Sequence, residues 1–179
     1  DSARGYLASV KACEMEESQL PELAEINWKK AEFHFSDALM HRPDDATCMS
    51  MVARVLARLG KITHAPSESL MMKRALSLSE RAATMASLSE QMEVKLTRAQ
   101  VLEVCGMQEQ SENAFMKAVL EHSGSMKCIA AYTRFLKNQG EHQMAERIVE
   151  DVFRKSQTNL SDYLTGGGKS QQQPGSPTL

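Results

Sequence analysis

From the start of the chain to about residue 156, apolar residues recur at spacings of three and four, and β-branched residues are scattered rather than clustered. That is the helical period, and it predicts an all-α chain of successive helices. Gly60, Gly106 and Gly140 each follow a periodic run and are expected to end helices. Helix starts are expected after Pro43-Asp44-Asp45, at Ser67 behind Pro66, and at Ser125 before Met126. Leu160, Tyr163 and Leu164 share the i, i+3, i+4 spacing and predict a short closing helix over 159–165. Residues 166–179 read GGGKSQQQPGSPTL. Such a segment cannot bury enough apolar surface to offset the entropy of ordering it, and a disordered tail is expected.

The periodic runs also resemble one another. Ala31, Phe35, Ala38 and Pro43 stand at spacings of 4, 3 and 5. The same spacing picks out Ala75, Ser79, Ala82 and Ser87, then Ser111, Phe115, Ala118 and Ser123, then Ala145, Val149, Val152 and Ser156. Small residues let two helices approach, and the larger residue between them fills the groove. The starts lie 44, 36 and 34 residues apart.

This spacing is similar to that of the second helix of a tetratricopeptide repeat, a family with a period of about 34 residues. The family's first helix carries a large–small–large pattern before a turn glycine. Val52, Ala53, Leu56 and Gly60 match it, as do Ala99, Leu102 and Gly106, and Tyr132, Leu136 and Gly140 with Thr133 at the small position. In the first repeat Leu7 and Ala8 match, while Lys11 stands where an aromatic is usual. The half-repeat class of RNA-processing proteins keeps its aromatic markers in the first helix. Trp28 here precedes the second-helix core, so that class fits less well.

The resemblance implies antiparallel helix pairs coiled into a right-handed superhelix, a TPR-like α-solenoid, over residues 1–158. About four pairs are expected. The first two repeats carry about ten extra residues each (EMEESQLPELAEINWKK and THAPSESLMMKRALSLS), expected to lengthen their second helices. In this family the first helices line a concave groove for an extended peptide or a partner helix. Placed on that pattern, the groove positions are Ser50, Arg54, Arg58, Gln100, Lys127, Arg134, Lys137 and Asn138, with Glu103 beside them. The groove is therefore expected to be basic and to take an acidic peptide or protein face. Solvated charge on an ordinary helix face is the competing reading. The chaperone-binding carboxylate clamp of the family is not matched, since the first repeat offers Arg4, Ser9 and Lys11 instead.

Composition narrows the picture further. Hydrophobic residues make up 42% and charged residues 25%, with only 5% aromatics but 12 methionines. The methionines suit packed helices, and core filling is expected for most, Met71-Met72 included. Net charge is −2, which argues against a uniformly basic nucleic-acid binder. Cys13, Cys48, Cys105 and Cys128 form no CxxC pair and are expected as reduced core thiols of a cytoplasmic or nuclear protein. No run reaches membrane-span length. The chain opens Asp1-Ser2-Ala3-Arg4, without an initiator methionine or apolar leader, and reads as a fragment or processed product.

The motifs offer little catalytic chemistry. Gly166–Ser170 ends like a phosphate-binding loop, but Tyr163 stands where GxxxxGK[ST] needs its first glycine. His34, His41, His64, His122 and His142 make neither HExxH nor a zinc pattern. His34 and Asp37 share a helix face without a nucleophile. Neither enzyme activity nor a cofactor or metal is expected. Trp28, the single Trp, is expected to be buried between helices or to serve as an exposed hot spot. Ser176-Pro177 is a weak phosphorylation signal, and the terminal Pro-Thr-Leu lacks the hydroxyl residue of the usual PDZ ligand. Two function classes follow: a scaffold or adaptor with a basic groove, and a structural subunit of a larger assembly, for which a homo-oligomer is one form.

Overall fold

The computed structural model describes residues 2–122, 124–151 and 154. Among the described residues the chain is all-helical: α1 (Ser2–Glu17), α2 (Pro21–His41), α3 (Ala46–Ile62), α4 (Leu70–Met85), α5 (Gln91–Val104), α6 (Gln108–Glu121), α7 (Met126–Asn138) and α8 (142–151). The expected closing helix at 159–165 and the tail at 166–179 lie outside the described residues, as do Ser123, Val152 and Ser156.

From α1 to α7 each helix packs on the next. In addition α3 packs on α5 and α5 on α7, whereas α2, α4 and α6 make no comparable contact with one another. α3, α5 and α7 thus form an inner row, to which the Glu16–Arg58 ion pair ties α1, and α2, α4 and α6 lie outside it. The 4-3-5 spacing is the buried stripe of the outer helices. Ala31, Phe35 and Ala38, then Ala75, Ser79 and Ala82, then Ser111, Phe115 and Ala118 are all buried. The buried hydroxyls are satisfied locally. Ser79 Oγ donates to Leu76 O at 2.8 Å, and Ser111 Oγ donates across to Ala99 O of α5 at 2.9 Å.

In α2 the stripe continues one unit toward the N-terminus, through Ala24 and Trp28, which is why this helix reaches 21 residues. Trp28 is fully buried, not an exposed hot spot, and its indole Nε1 donates to Glu16 Oε1 at 2.5 Å. Pro21 opens the helix where a missing N–H costs nothing. In the second pair the extra residues are divided differently. α3 runs two residues past Gly60, an irregular segment covers 63–69, and α4 has 16 residues against 14 in α6.

The inner helices all end in one way. Gln19, His64, Gly106 and Gly140 take φ of 57°, 53°, 78° and 85°. At each, the following N–H reaches the carbonyl five residues back: Leu20 to Met15 at 2.9 Å, Ala65 to Gly60 at 2.8 Å, Met107 to Leu102 at 3.0 Å and Glu141 to Leu136 at 2.9 Å. This is the Schellman closure. Gly60 therefore does not end its helix. It is buried where α4 crosses α3, and a methyl group there would collide with Met72 Sδ.

Starts are set by side-chain caps. Asp45 accepts from Cys48 N at 2.8 Å and Ser125 accepts from Cys128 N at 3.3 Å. In the second pair the cap is Ser69 rather than Ser67, accepting from Met72 N at 3.4 Å.

Candidate functional site

A cleft of about 610 Å³ opens on the inner row. α1 contributes Cys13, Glu16 and Glu17; α3 contributes Arg54, Arg58 and Lys61; Glu103 comes from α5; α7 contributes Arg134 and Asn138. The helical period explains the convergence. Arg54 and Arg58 are one turn apart on α3, and Arg134 and Asn138 are one turn apart on α7, so each pair points to one side.

Of the positions expected in the groove, Arg54, Arg58, Arg134 and Asn138 meet in this cleft, together with Glu103. Four others do not. Ser50 is buried inside α3, where its hydroxyl donates to Thr47 O at 2.9 Å. Gln100 is half-buried on α5 away from the cleft lining. Lys127 lies at the opposite end of α7, paired with Glu93. Lys137 is exposed outside the cleft. Ser50 and Lys127 stand near the starts of α3 and α7, whereas the cleft is lined from the later turns, Arg54 to Lys61 and Arg134 to Asn138.

The cleft is also mixed in charge rather than uniformly basic. Four cations, Arg54, Arg58, Lys61 and Arg134, face three carboxylates, Glu16, Glu17 and Glu103. Two of those carboxylates are engaged. Glu16 Oε2 accepts from Arg58 Nη1 at 3.3 Å while Oε1 holds the Trp28 indole. Glu103 Oε1 accepts from Asn138 Nδ2 at 3.1 Å. The sequence pattern overlooked α1 as a source of acid, since Lys11 broke the repeat match there.

Arg54, Lys61 and Arg134 make no salt bridge among the described residues. Arg54 is the unusual one. Burial pushes its guanidinium below the ordinary value, with the positive charges of Arg58 and Arg134 adding to the effect; Cys13, its hydrogen-bonding neighbour, opposes it. Its Nε is fully buried and has no hydrogen-bond partner. Arginine stays protonated regardless. A desolvated cation without a carboxylate is therefore held at the base of a solvent-open cleft.

A second cleft of about 460 Å³ separates α4 from α6, where the outer helices fail to touch. Two of its three bases are matched: Lys95 contacts Glu121 at 2.5 Å and Arg98 contacts Glu80 at 3.7 Å. Among the described residues no group of three or more His, Cys, Asp or Glu is arranged to hold a metal ion. No described helix is long and apolar enough to cross a membrane. No protein-family model matches the chain, and no curated protein matches it either.

Proposed function

We propose that this chain is a protein-interaction scaffold of the tetratricopeptide type, its helix pairs following a right-handed superhelix, and that its inner cleft takes an acidic peptide or an acidic protein face. The buried Arg54 side chain, which makes no ion pair and whose Nε has no hydrogen-bond partner, carries this reading. A buried cation without an opposing charge is costly, and a ligand carboxylate entering beside it recovers that cost on binding. Arg134 across the cleft supplies a second cation free to close on the same anion, and a guanidinium fork matches a carboxylate in two bonds. Arg58 and Glu103 are already partnered and shape the walls. The groups in the cleft hold no nucleophile–base pair with a third orienting residue, so a binding role fits them better than a catalytic one.

The test is fluorescence anisotropy with a labelled hexaglutamate peptide at low salt. The wild type is expected to bind. Arg54→Glu and Arg134→Glu together are expected to weaken binding by roughly thirty-fold or more, the scale of removing a desolvated charge partner. Undiminished binding by the double variant sinks the proposal, as does a wild type that ignores acidic peptides.

A further inference from the structure

We infer that the inner cleft selects an extended peptide of mixed charge, with an acidic residue for Arg54 and Arg134 and a basic residue two positions away for Glu103. This rests on the peptide-binding reading above and adds the second charge that the ligand carries. The charges of the cleft itself set the requirement. Arg58 and Glu16 answer each other at 3.3 Å. Among the described residues, Arg54 and Arg134 meet no carboxylate, and Glu17 and Glu103 meet no cation. Glu103 is half-buried, and its Oε1 takes the Asn138 amide at 3.1 Å. An amide is a neutral donor, so the charge of this carboxylate is left unopposed at the cleft wall.

The helical period keeps the two signs apart. Arg134 and Asn138 stand one turn apart on α7, so the carboxylate held by Asn138 lies about 5.4 Å along the cleft from the level of Arg134. On the facing wall Cys13 neighbours Arg54, and Glu17 follows Cys13 by one turn of α1. Both walls run the same way, cation first and carboxylate one turn nearer the helix ends. An extended chain places residues i and i+2 on one side about 6.7 Å apart, close to that spacing.

The helix ends add to the preference. Glu17 and Glu103 stand in the last turns of α1 and α5. Helix C-termini carry partial negative charge, which favours a ligand cation there. Lys61 is the opposing group. It stands on the α1 side, where it also lines a hollow with Glu16, Gln19 and Pro21. Glu103 is therefore the main site for the ligand's base and Glu17 the minor one. A uniformly acidic peptide gains at Arg54 and is repelled one turn away, whereas a mixed one gains at both places.

Fluorescence anisotropy with two blocked peptides of equal length tests this, one repeating Glu-Ala-Arg-Ala and the other Glu-Ala-Glu-Ala. The wild type is expected to bind the mixed peptide at least about threefold more tightly. Glu103→Gln keeps the side chain's size and a carbonyl for the Asn138 amide while removing the charge. It is expected to weaken mixed-peptide binding by about threefold or more and to leave acid-only binding equal or tighter. Glu17→Gln should act in the same direction by less. An unchanged circular-dichroism melt will show that the fold is kept. A wild type that binds the acid-only peptide as tightly as the mixed one, or more tightly, overturns the inference. So does a Glu103→Gln variant that weakens both peptides alike or neither. Hexaglutamate separates the two readings. If it binds through Arg54 and Arg134 while the mixed peptide gains nothing, the acidic-ligand reading stands and this one is refuted. If none of the three peptides binds, both are refuted.

Discussion

The first two helix pairs turn the chain out of their inner helices on Gln19 and His64; the last two do so on Gly106 and Gly140. The hydrogen bonds of the four closures are the same. The left-handed conformation costs glycine nothing and costs other residues on the order of 1 kcal/mol. The halves also fill their interiors differently. The N-terminal interior joins Trp28 and Phe35 to many alanines and aliphatics, and reaches into Val101 of α5 and Cys105 just past its end. The C-terminal interior is built on the aromatic group Phe115, Tyr132 and Phe135, with Phe115 and Phe135 at 5.1 Å between ring centres. Only α5 contributes to both, while Met49, Ala82 and Val94 form a small cluster at the junction. Closure geometry is thus maintained while punctuation and packing vary.

Core truncation offers the strongest test of that division. Trp28→Ala is expected to cost about 3–5 kcal/mol, and Phe115→Ala a similar amount. If the halves are distinct, hydrogen exchange will show protection lost mainly in α1–α4 for the first and mainly in α6–α7 for the second. Equal loss throughout the chain for either variant would mean one cooperative unit and would erase the distinction.

The closures give a smaller effect of opposite sign in the two halves. His64→Gly is expected to stabilise the chain by a few tenths to about 1 kcal/mol, relief of left-handed strain less the entropy of glycine. Gly106→Ala is expected to destabilise it by about 1 kcal/mol or somewhat more. Chemical denaturation reads both. Identical signs would show that the closures are not equivalent.

The smallest expected effect concerns the seam between the halves. Hydrogen bonds from the Ser87 hydroxyl, then Thr47, then the Ser87 N–H hold the Glu90 carboxyl below its ordinary range. A carboxylate depressed in the folded state contributes stability above its unfolded value, and this is lost as pH falls through the folded one. Thermal melts from pH 7 to pH 3 should therefore show Glu90→Gln less stable than wild type at neutral pH. The gap should close below the ordinary Glu value of about 4.3. A gap that is constant with pH would place the effect elsewhere.

The outer helices were legible from the sequence because small residues at fixed spacing have one main cause, close helix approach. Ala31, Phe35 and Ala38 and their equivalents on α4 and α6 are buried as their spacing implied, while Val149 in the last run is half-buried. The inner helices were harder to place. Gly60 looks like a helix end, but it is a crossing point under Met72, and the turn falls on His64, which has no sequence mark for a left-handed φ. Ser50 stands one turn before Arg54 yet is buried near the start of α3, while the cleft opens on the later turns of that helix. Ser87 and Glu90 stand at an S-x-x-E spacing, and Glu90 accepts from both the Ser87 N–H and hydroxyl just before α5, a pairing the spacing could have revealed. The carboxylates of α1 were missed because no local rule says that a helix lacking the repeat pattern supplies two of the cleft's three carboxylates.

Glu16 joins two parts of the molecule that otherwise have little to do with each other. One oxygen holds the indole of Trp28 inside the core, and the other holds Arg58 at the cleft wall. Trp28 is the only tryptophan in the chain. Any anion that draws Arg58 away from Glu16 alters the field and the hydrogen bond at that indole. The protein therefore carries an intrinsic optical reporter of its own cleft, with a single carboxylate as the wire.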